Sequence, residues 1–221
     1  MKALWKALVY KLVCATERFR RFSRRSPAAF IMLLLSVTTF AWAQASEYLW
    51  PVRDIPVKLT SGLGELRIGH THAGLDLSLF GEVGRVTIVS IDDGRLLRLR
   101  TSNFGYGNAL YIKMKDGKVA VYAHLDRFSD RLEKLTDNLR RQTGLYRLDY
   151  YFEEKDPPVV VARGEVIAFG GKSGTRTPHL HFELRENEQV ALNPLTNGFP
   201  VDDTLAPTIQ SLLFEPLDAE A

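Results

Sequence analysis

"NALYIKMKDGKVAVYAHL", residues 108–125, reads as two strands joined by a tight turn. Apolar residues alternate, or nearly so, on both sides of Asp116-Gly117, and an Asp-Gly pair between such runs is a hairpin signal. The second run ends in His124. "RVTIVSIDDGRLLRLRT" (85–101) repeats the pattern around Asp93-Gly94 and predicts a second hairpin. "VVVARGEVIAFGGKSG" (159–174) and "HLHFELRENEQVALNP" (179–194) continue the β-rich pattern. One segment breaks it. In "RFSDRLEKLTDNLRRQTG" (127–144), Phe128, Leu132, Leu135 and Leu139 recur at helical spacing and Gly144 follows, which predicts one amphipathic helix over about 130–142. A polar, aromatic loop is expected from there through Pro158. The fold class is therefore mainly β: an antiparallel β-sheet or β-sandwich-like core with one inserted amphipathic helix.

The length of 221 residues suits one domain with appendages, and 45% apolar with 25% charged residues is a mix able to bury a core. Residues 1–45 hold eight Lys/Arg and one acid, Glu17, so the net charge of +3 becomes −4 for the remainder. The basic character belongs to the N-terminus and gives no ground for a nucleic-acid partner. There, "RRFSRRS" (20–26) precedes "PAAFIMLLLSVTTFAWAQAS" (27–46), and Ala43 and Ala45 form an A-x-A pattern. Residues 1–45 thus read as a signal peptide cleaved after Ala45, or as a retained N-terminal anchor. The apolar run is short for a span of about 20 residues. Either reading exports the protein to the periplasm or cell envelope, with the membrane touched only through an uncleaved N-terminal segment. The single cysteine, Cys14, precedes the apolar run, so a processed chain has neither disulfide nor thiol nucleophile.

The five histidines fall in three places. His70 and His72 lie in "GELRIGHTHAGLDLS" (64–78), four residues before Asp76 in the case of His72. His124 ends its strand-like run. His179 and His181 lie in "TPHLHFEL" (177–184) and, on a strand, share one face. Alone, His-x-His also fits a solvated face. Three Gly-adjacent motifs together shift the balance towards a metal or catalytic site, since neutral imidazole is the commonest metal ligand. Two imidazoles and a carboxylate make a good zinc set with an open position for water. Two further imidazoles can serve proton transfer and transition-state charge.

These three motifs, in this order, resemble the lysostaphin-type (LytM-type) zinc metallopeptidases, which cut peptide cross-links of bacterial peptidoglycan. The family pattern of His-x-x-x-Asp, a lone His and His-x-His is matched by His72-Ala-Gly-Leu-Asp76, His124 and His179-Leu-His181. The resemblance spans about residues 57–200 and includes "FGYGNALYIKM", "VYAHLDRFS" and "ARGEVIAFGGKSGT". It implies one zinc ion per chain on His72, Asp76 and His181, with His124 and His179 in the catalytic positions. It also implies peptidoglycan stem or cross-bridge peptides as substrate; protein partners are not legible. His70 matches no core position, so it either orients His72 or Asp76 from behind or is a solvated loop residue. Arg67 is a candidate contact for acidic substrate groups.

The implied organisation is residues 1–45 as signal or anchor, 46–200 as the LytM-type domain and 201–221 as a tail. "LNPLTNGFPVDDTLAP" (192–207) resembles long-chain forms in which a β-sandwich module follows, making Thr208–Ala221 the truncated start of one. The helix is an addition to the smallest members of the family. It either packs on the surface or walls the substrate groove, and most rings of Tyr146, Tyr150, Tyr151 and Phe152 are expected to pack under it. A non-catalytic peptidoglycan-binding module or amidase activator on the same fold is the alternative. Such proteins typically lose metal or catalytic residues, whereas this chain keeps all five. A structural wall-anchoring protein, the third reading, does not need this constellation.

Overall fold

The structure, a computed structural model, describes residues 48–67 and 69–201. The signal or anchor segment, Cys14 and residues 202–221 of the tail lie outside the described residues. In chain order the elements are β1 Leu59–Ser61, β2 Leu66–Arg67, β3 His70–Thr71, β4 Leu75–Ser78, β5 Thr87–Val89, β6 Gly94–Arg100, β7 Asn108–Met114, β8 Val119–Phe128, α1 Asp130–Thr143, β9 Asp149–Tyr151, β10 Val160–Val161, β11 Val166–Gly170, β12 His179–Arg185 and β13 Ala191–Leu192. Among the described residues no helix is long and apolar enough to cross a membrane.

The expected mainly β architecture is present. One antiparallel sheet runs β1-β4-β12-β8-β7-β6-β10, and β2–β3 forms a separate small hairpin. The β7–β8 hairpin turns at Asp116-Gly117, where Gly117 takes φ +90°. The hairpin expected at Asp93-Gly94 does not form. Strand β5 pairs with β11, while β6 pairs with β7, β9 and β10. The Asp-Gly pair is drawn elsewhere: the Asp93 carboxylate accepts the Arg163 amide at 2.8 Å, and Gly94 is already the first residue of β6. A side chain at Gly94 would meet the Lys113 carbonyl oxygen, so the glycine serves close strand approach here. The loop expected after the helix is also interrupted, since β9 adds a short strand to β6.

Alternation decides what each strand buries. On β4, β8 and β12, Leu75, Leu77, Tyr122, Leu180, Phe182 and Leu184 face one fully buried core. The opposite face of β7 and β8 closes a second cluster of Ala109, Tyr111, Val119, Val121 and Ala123. Helix α1 lays Leu132 and Leu139 into the main core. Its ends obey simple electrostatics, with Asp130 and Glu133 in the first turn and Arg140 and Arg141 in the last, before Gly144 at φ +69°. Ser129 does not cap it; Glu133 instead reaches back to the Phe128 amide at 2.8 Å. Tyr150 and Phe152 pack against the core, whereas Tyr146 and Tyr151 are exposed.

Strand β8 changes partner part-way. Residues up to Ala123 pair with β12, and residues from Leu125 pair with β11. His124, at the change-over, sits at φ +58°, a conformation most side chains avoid. The kink parts β12 from β11. The loop after β11 packs into that parting so closely that a Cβ on Gly107 would lie 2.1 Å from the Ser173 carbonyl oxygen. Gly107 also has φ +62°. Gly107→Ala therefore carries both a conformational and a steric cost, about 3 kcal/mol together. Gly117→Ala, also at positive φ but with nothing within 4 Å, carries the conformational cost alone, about 1–2 kcal/mol. Denaturant unfolding of both variants should show the larger loss at Gly107; equal losses would mean that the close contact to Ser173 does not constrain the fold.

Candidate metal centre

The site is assembled from one row of the sheet. His181 on β12 stands opposite Asp76 of β4 on one side and Ala123 of β8 on the other. His72 reaches the row from the turn between β3 and β4, where its amide donates to the Glu65 carbonyl at 2.8 Å. All three side chains are buried. His72 Nε2 lies 3.0 Å from Asp76 Oδ1 and 2.9 Å from His181 Nδ1, and His181 Nδ1 lies 3.0 Å from the same carboxylate oxygen.

The ring protons explain why these atoms need a cation. His72 donates from Nδ1 to the Gly62 carbonyl at 2.7 Å. His181 donates from Nε2 to the Glu183 carboxylate at 2.8 Å. With their protons held outward, two neutral imidazoles present lone pairs inward, beside an anionic oxygen. Three acceptors about 3 Å apart repel one another unless a metal ion or a proton lies among them. The donor set thus fits a zinc-type ion. The titration tendencies agree. In the metal-free chain a proton takes the cation's place: burial opposes charge on Asp76, but hydrogen bonds from the His181 and His72 rings, when these are protonated, hold its carboxyl far below the ordinary range. Burial also disfavours charge on His181, yet hydrogen bonds to Asp76 and Glu183 push its imidazole up.

Each donor is braced from behind. Glu183 is fully buried and accepts from His181, from Arg185 Nε at 2.5 Å and from the Tyr106 hydroxyl at 2.5 Å. Burial opposes its charge, and these donors, His181 first, keep its carboxyl below the usual value. Asp76 Oδ2 accepts from Arg67 Nη2 at 3.0 Å, and Arg67 is itself held by Ser61.

His124 and His179 complete the cluster, their ring centroids 4.7 Å apart. Each has Nδ1 bound to a backbone carbonyl, His124 to Ser173 at 2.8 Å and His179 to Thr177 at 2.9 Å. In both rings the second nitrogen, Nε2, is left as an acceptor. His179 Nε2 is 3.6 Å from Asp76 Oδ1. Burial pushes the His124 pKa down to about 4, against a partial upward pull from the Ser173 carbonyl.

All five expected residues line one cleft of about 370 Å³. His70 lines its mouth and is exposed; the positions behind His72 and Asp76 are filled by Gly62 and Arg67 instead. Arg67, expected to meet substrate, also lines the cleft but spends Nη2 on Asp76. Glu183 and Tyr106 join this cluster through hydrogen bonds although the sequence did not single them out. The available signal for Glu183 was its place two residues beyond His181, on the same strand face. A larger apolar groove of about 700 Å³, beside Gly94, Met114 and Val161, contains none of the histidines.

No family profile matches the chain. It is 30% identical over 158 residues to the murein hydrolase activator NlpD of Salmonella dublin, an alignment covering 72% of this chain and 33% of that protein. It is 34% identical over 100 residues to the DD-carboxypeptidase/endopeptidase Mpg of Neisseria meningitidis serogroup B, covering 45% of this chain and 17% of that protein. Both relatives carry the domain that the three motifs resemble. The chain belongs to the lysostaphin-type (LytM-type) metallopeptidase family. Among solved structures it is similar to the catalytic domain of lysostaphin from Staphylococcus simulans, with TM-score 0.46, 22% identity and coverage of 63% of this chain and 90% of that one. The chain spans about a third of the length of NlpD, the curated relative that it matches over the longer stretch.

Two expectations follow for this LytM-type centre. Replacing Glu183 with Gln keeps the shape but weakens the brace behind His181, so metal affinity should fall by about 10–100-fold. Competition with a chromogenic chelator measures this, and unchanged affinity would show that Glu183 does not tune the site. The second concerns acid. The folded pKa of His124, about 4, lies below the ordinary 6.5. Between these values the unfolded chain takes up a proton that the folded chain refuses. The stability contributed by neutral His124 is therefore complete above 6.5 and is lost as pH falls towards 4. In metal-free protein, His124→Asn should lose less stability than wild type over this window, measured by urea unfolding at each pH.

Proposed function

We propose that the protein is an exported zinc metalloendopeptidase that hydrolyses peptide cross-links of bacterial peptidoglycan. The observation that carries this reading is the inward convergence of three lone-pair donors beside two further imidazoles whose Nε2 atoms remain acceptors. His72 Nε2, Asp76 Oδ1 and His181 Nδ1 would hold one zinc ion per chain. Zinc, when bound, supplies Lewis acidity, polarising the scissile carbonyl and making water a usable nucleophile near neutral pH.

The chain's own chemistry lies with His124 and His179. An imidazole fixed through Nδ1–H can accept the proton of the attacking water at Nε2. As imidazolium it then donates from Nε2, either to the developing oxyanion or to the leaving amine. Two such rings, one at the change-over on β8 and one at the start of β12, let one act as base while the other stabilises charge. The carbonyls of Ser173 and Thr177 fix both ring orientations before substrate arrives. The peptidoglycan substrate and the envelope location rest on the family relationship and on the export-type N-terminus.

A second reading has its own support: the relative aligned over 72% of this chain is by name a murein hydrolase activator. One set of measurements separates the two. Purified peptidoglycan is incubated with the chain and the soluble products are mass-analysed, with zinc content determined on the same samples. We expect released peptides from wild type and stoichiometric zinc. Asp76→Ala should lose both. His179→Ala should lose hydrolysis by at least 100-fold and keep its zinc. A wild-type chain that releases no peptides but stimulates a peptidoglycan amidase would establish the activator reading instead.

A further inference from the structure

The helical insert leaves an unusual surface beside the cleft. Its last turn and the loop after it run alongside the 101–107 segment: the Thr101 amide donates to the Leu148 carbonyl and the Leu148 amide to Thr101 Oγ1, both at 2.8 Å. These two segments carry three apolar side chains that the core does not use. Phe104 is 67% exposed, Leu145 57% and Tyr146 82%. Guanidinium groups order the rings. Arg147 lies 5.5 Å from the Phe104 ring centroid and Arg140 lies 5.3 Å from that of Tyr146. Arg100 donates to the Phe104 carbonyl at 3.4 Å. Arg140 is ion-paired with Asp137, and Arg100 lies within electrostatic reach of the Asp149 carboxylate.

We infer that this surface is a docking wall for the peptidoglycan strand that flanks the peptide held in the cleft. The ligand named here rests on the proposed function; the surface itself does not. Three observations carry the inference. The surface is continuous with the site, because Phe104 precedes Gly105 and Tyr106, which line the cleft. Its charge is complementary, because stem peptides bear free carboxylates and a guanidinium such as that of Arg147 binds carboxylates with directed, paired hydrogen bonds. Its shape suits sugars. Ring faces with polar surroundings offer amphipathic contact, and rings already stacked on arginines lose little freedom on binding. The helix supplies rigidity, since Leu132 and Leu139 anchor it in the core. Large apolar side chains left this exposed beside charged groups mark an interaction surface.

The test uses the full chain carrying His179→Ala, so that binding is read without digestion. Co-sedimentation with purified insoluble peptidoglycan gives the affinity. Adding Phe104→Ser and Arg147→Gln should weaken it at least ten-fold. Arg147→Gln alone should weaken it measurably and should flatten its salt dependence. Phe80 is a control: it is 52% exposed with Lys58 at 5.9 Å from its ring, and it does not line the cleft. Phe80→Ser with Lys58→Gln should leave affinity unchanged. Equal binding by the Phe104/Arg147 variant and its parent would overturn the inference and point to a protein partner for this face. Equal loss in the Phe80/Lys58 control would overturn it as general stickiness. Failure of wild type to hydrolyse would sink the peptidase reading while leaving the binding result intact.

Discussion

The whole site hangs on one register. His181 faces Asp76 across β4 and Ala123 across β8, so a single row of the sheet places one donor on another and sets both beside His124. Side chains alternate along a strand, so a slip of one residue on either side of β12 would turn its histidines into the core and its leucines into the cleft. Leu180, Phe182 and Leu184 forbid that slip, because all three are fully buried on the opposite face. The packing that stabilises the fold and the alignment that builds the donor set are therefore the same constraint.

A flat sheet with that register would still have no cleft. The opening comes from the strain at His124, whose positive φ ends the pairing of β8 with β12 and starts its pairing with β11. The strained residue is held from both sides: its amide donates to the Tyr106 carbonyl at 2.9 Å and its ring to the Ser173 carbonyl. Tyr106 and Ser173 belong to the two loops that meet at Gly107. The close loop contact there and the unusual backbone at His124 thus support each other, as expected where strain is kept at a working position. The same arrangement fixes the tautomer of His124, so geometry and protonation are set together.

Much of this was legible in the sequence, and for a physical reason. Alternation of period two marks buried strand faces directly, and the helix from 130 announced itself by its change of period. The five candidate residues stood out because four of them are histidines, of which the chain has only five, set with Asp76 in recognisable spacings. What escaped depends on contacts distant in sequence. Glu183 looked like one more polar residue on a strand; only its burial against Arg185 and Tyr106 shows that it braces His181. Arg67 read as a substrate contact because its link to Asp76 is made through the β2–β3 hairpin, whose position no local pattern reveals. The Asp93-Gly94 turn failed for a similar reason. A local turn preference lost to the Arg163 amide and to the pairing of β5 with β11, a strand far down the chain.

The donor set and the two outer imidazoles are supported differently, and this bears on how catalyst and activator can share a fold. His72, Asp76 and His181 are buried, mutually bonded and braced by Gly62, Arg67 and Glu183. Losing any of them leaves buried polar partners unsatisfied, at a cost of about 1–3 kcal/mol each. His179 is less buried, and its ring's hydrogen bond goes to a backbone carbonyl two residues away. Its replacement disturbs little but chemistry. Proton transfer can therefore be lost from such a fold while the metal framework and the cleft survive, and a binding or activating protein is the natural product of that loss. This chain retains both outer imidazoles in fixed orientation, one of them on the strained backbone where β8 changes partner.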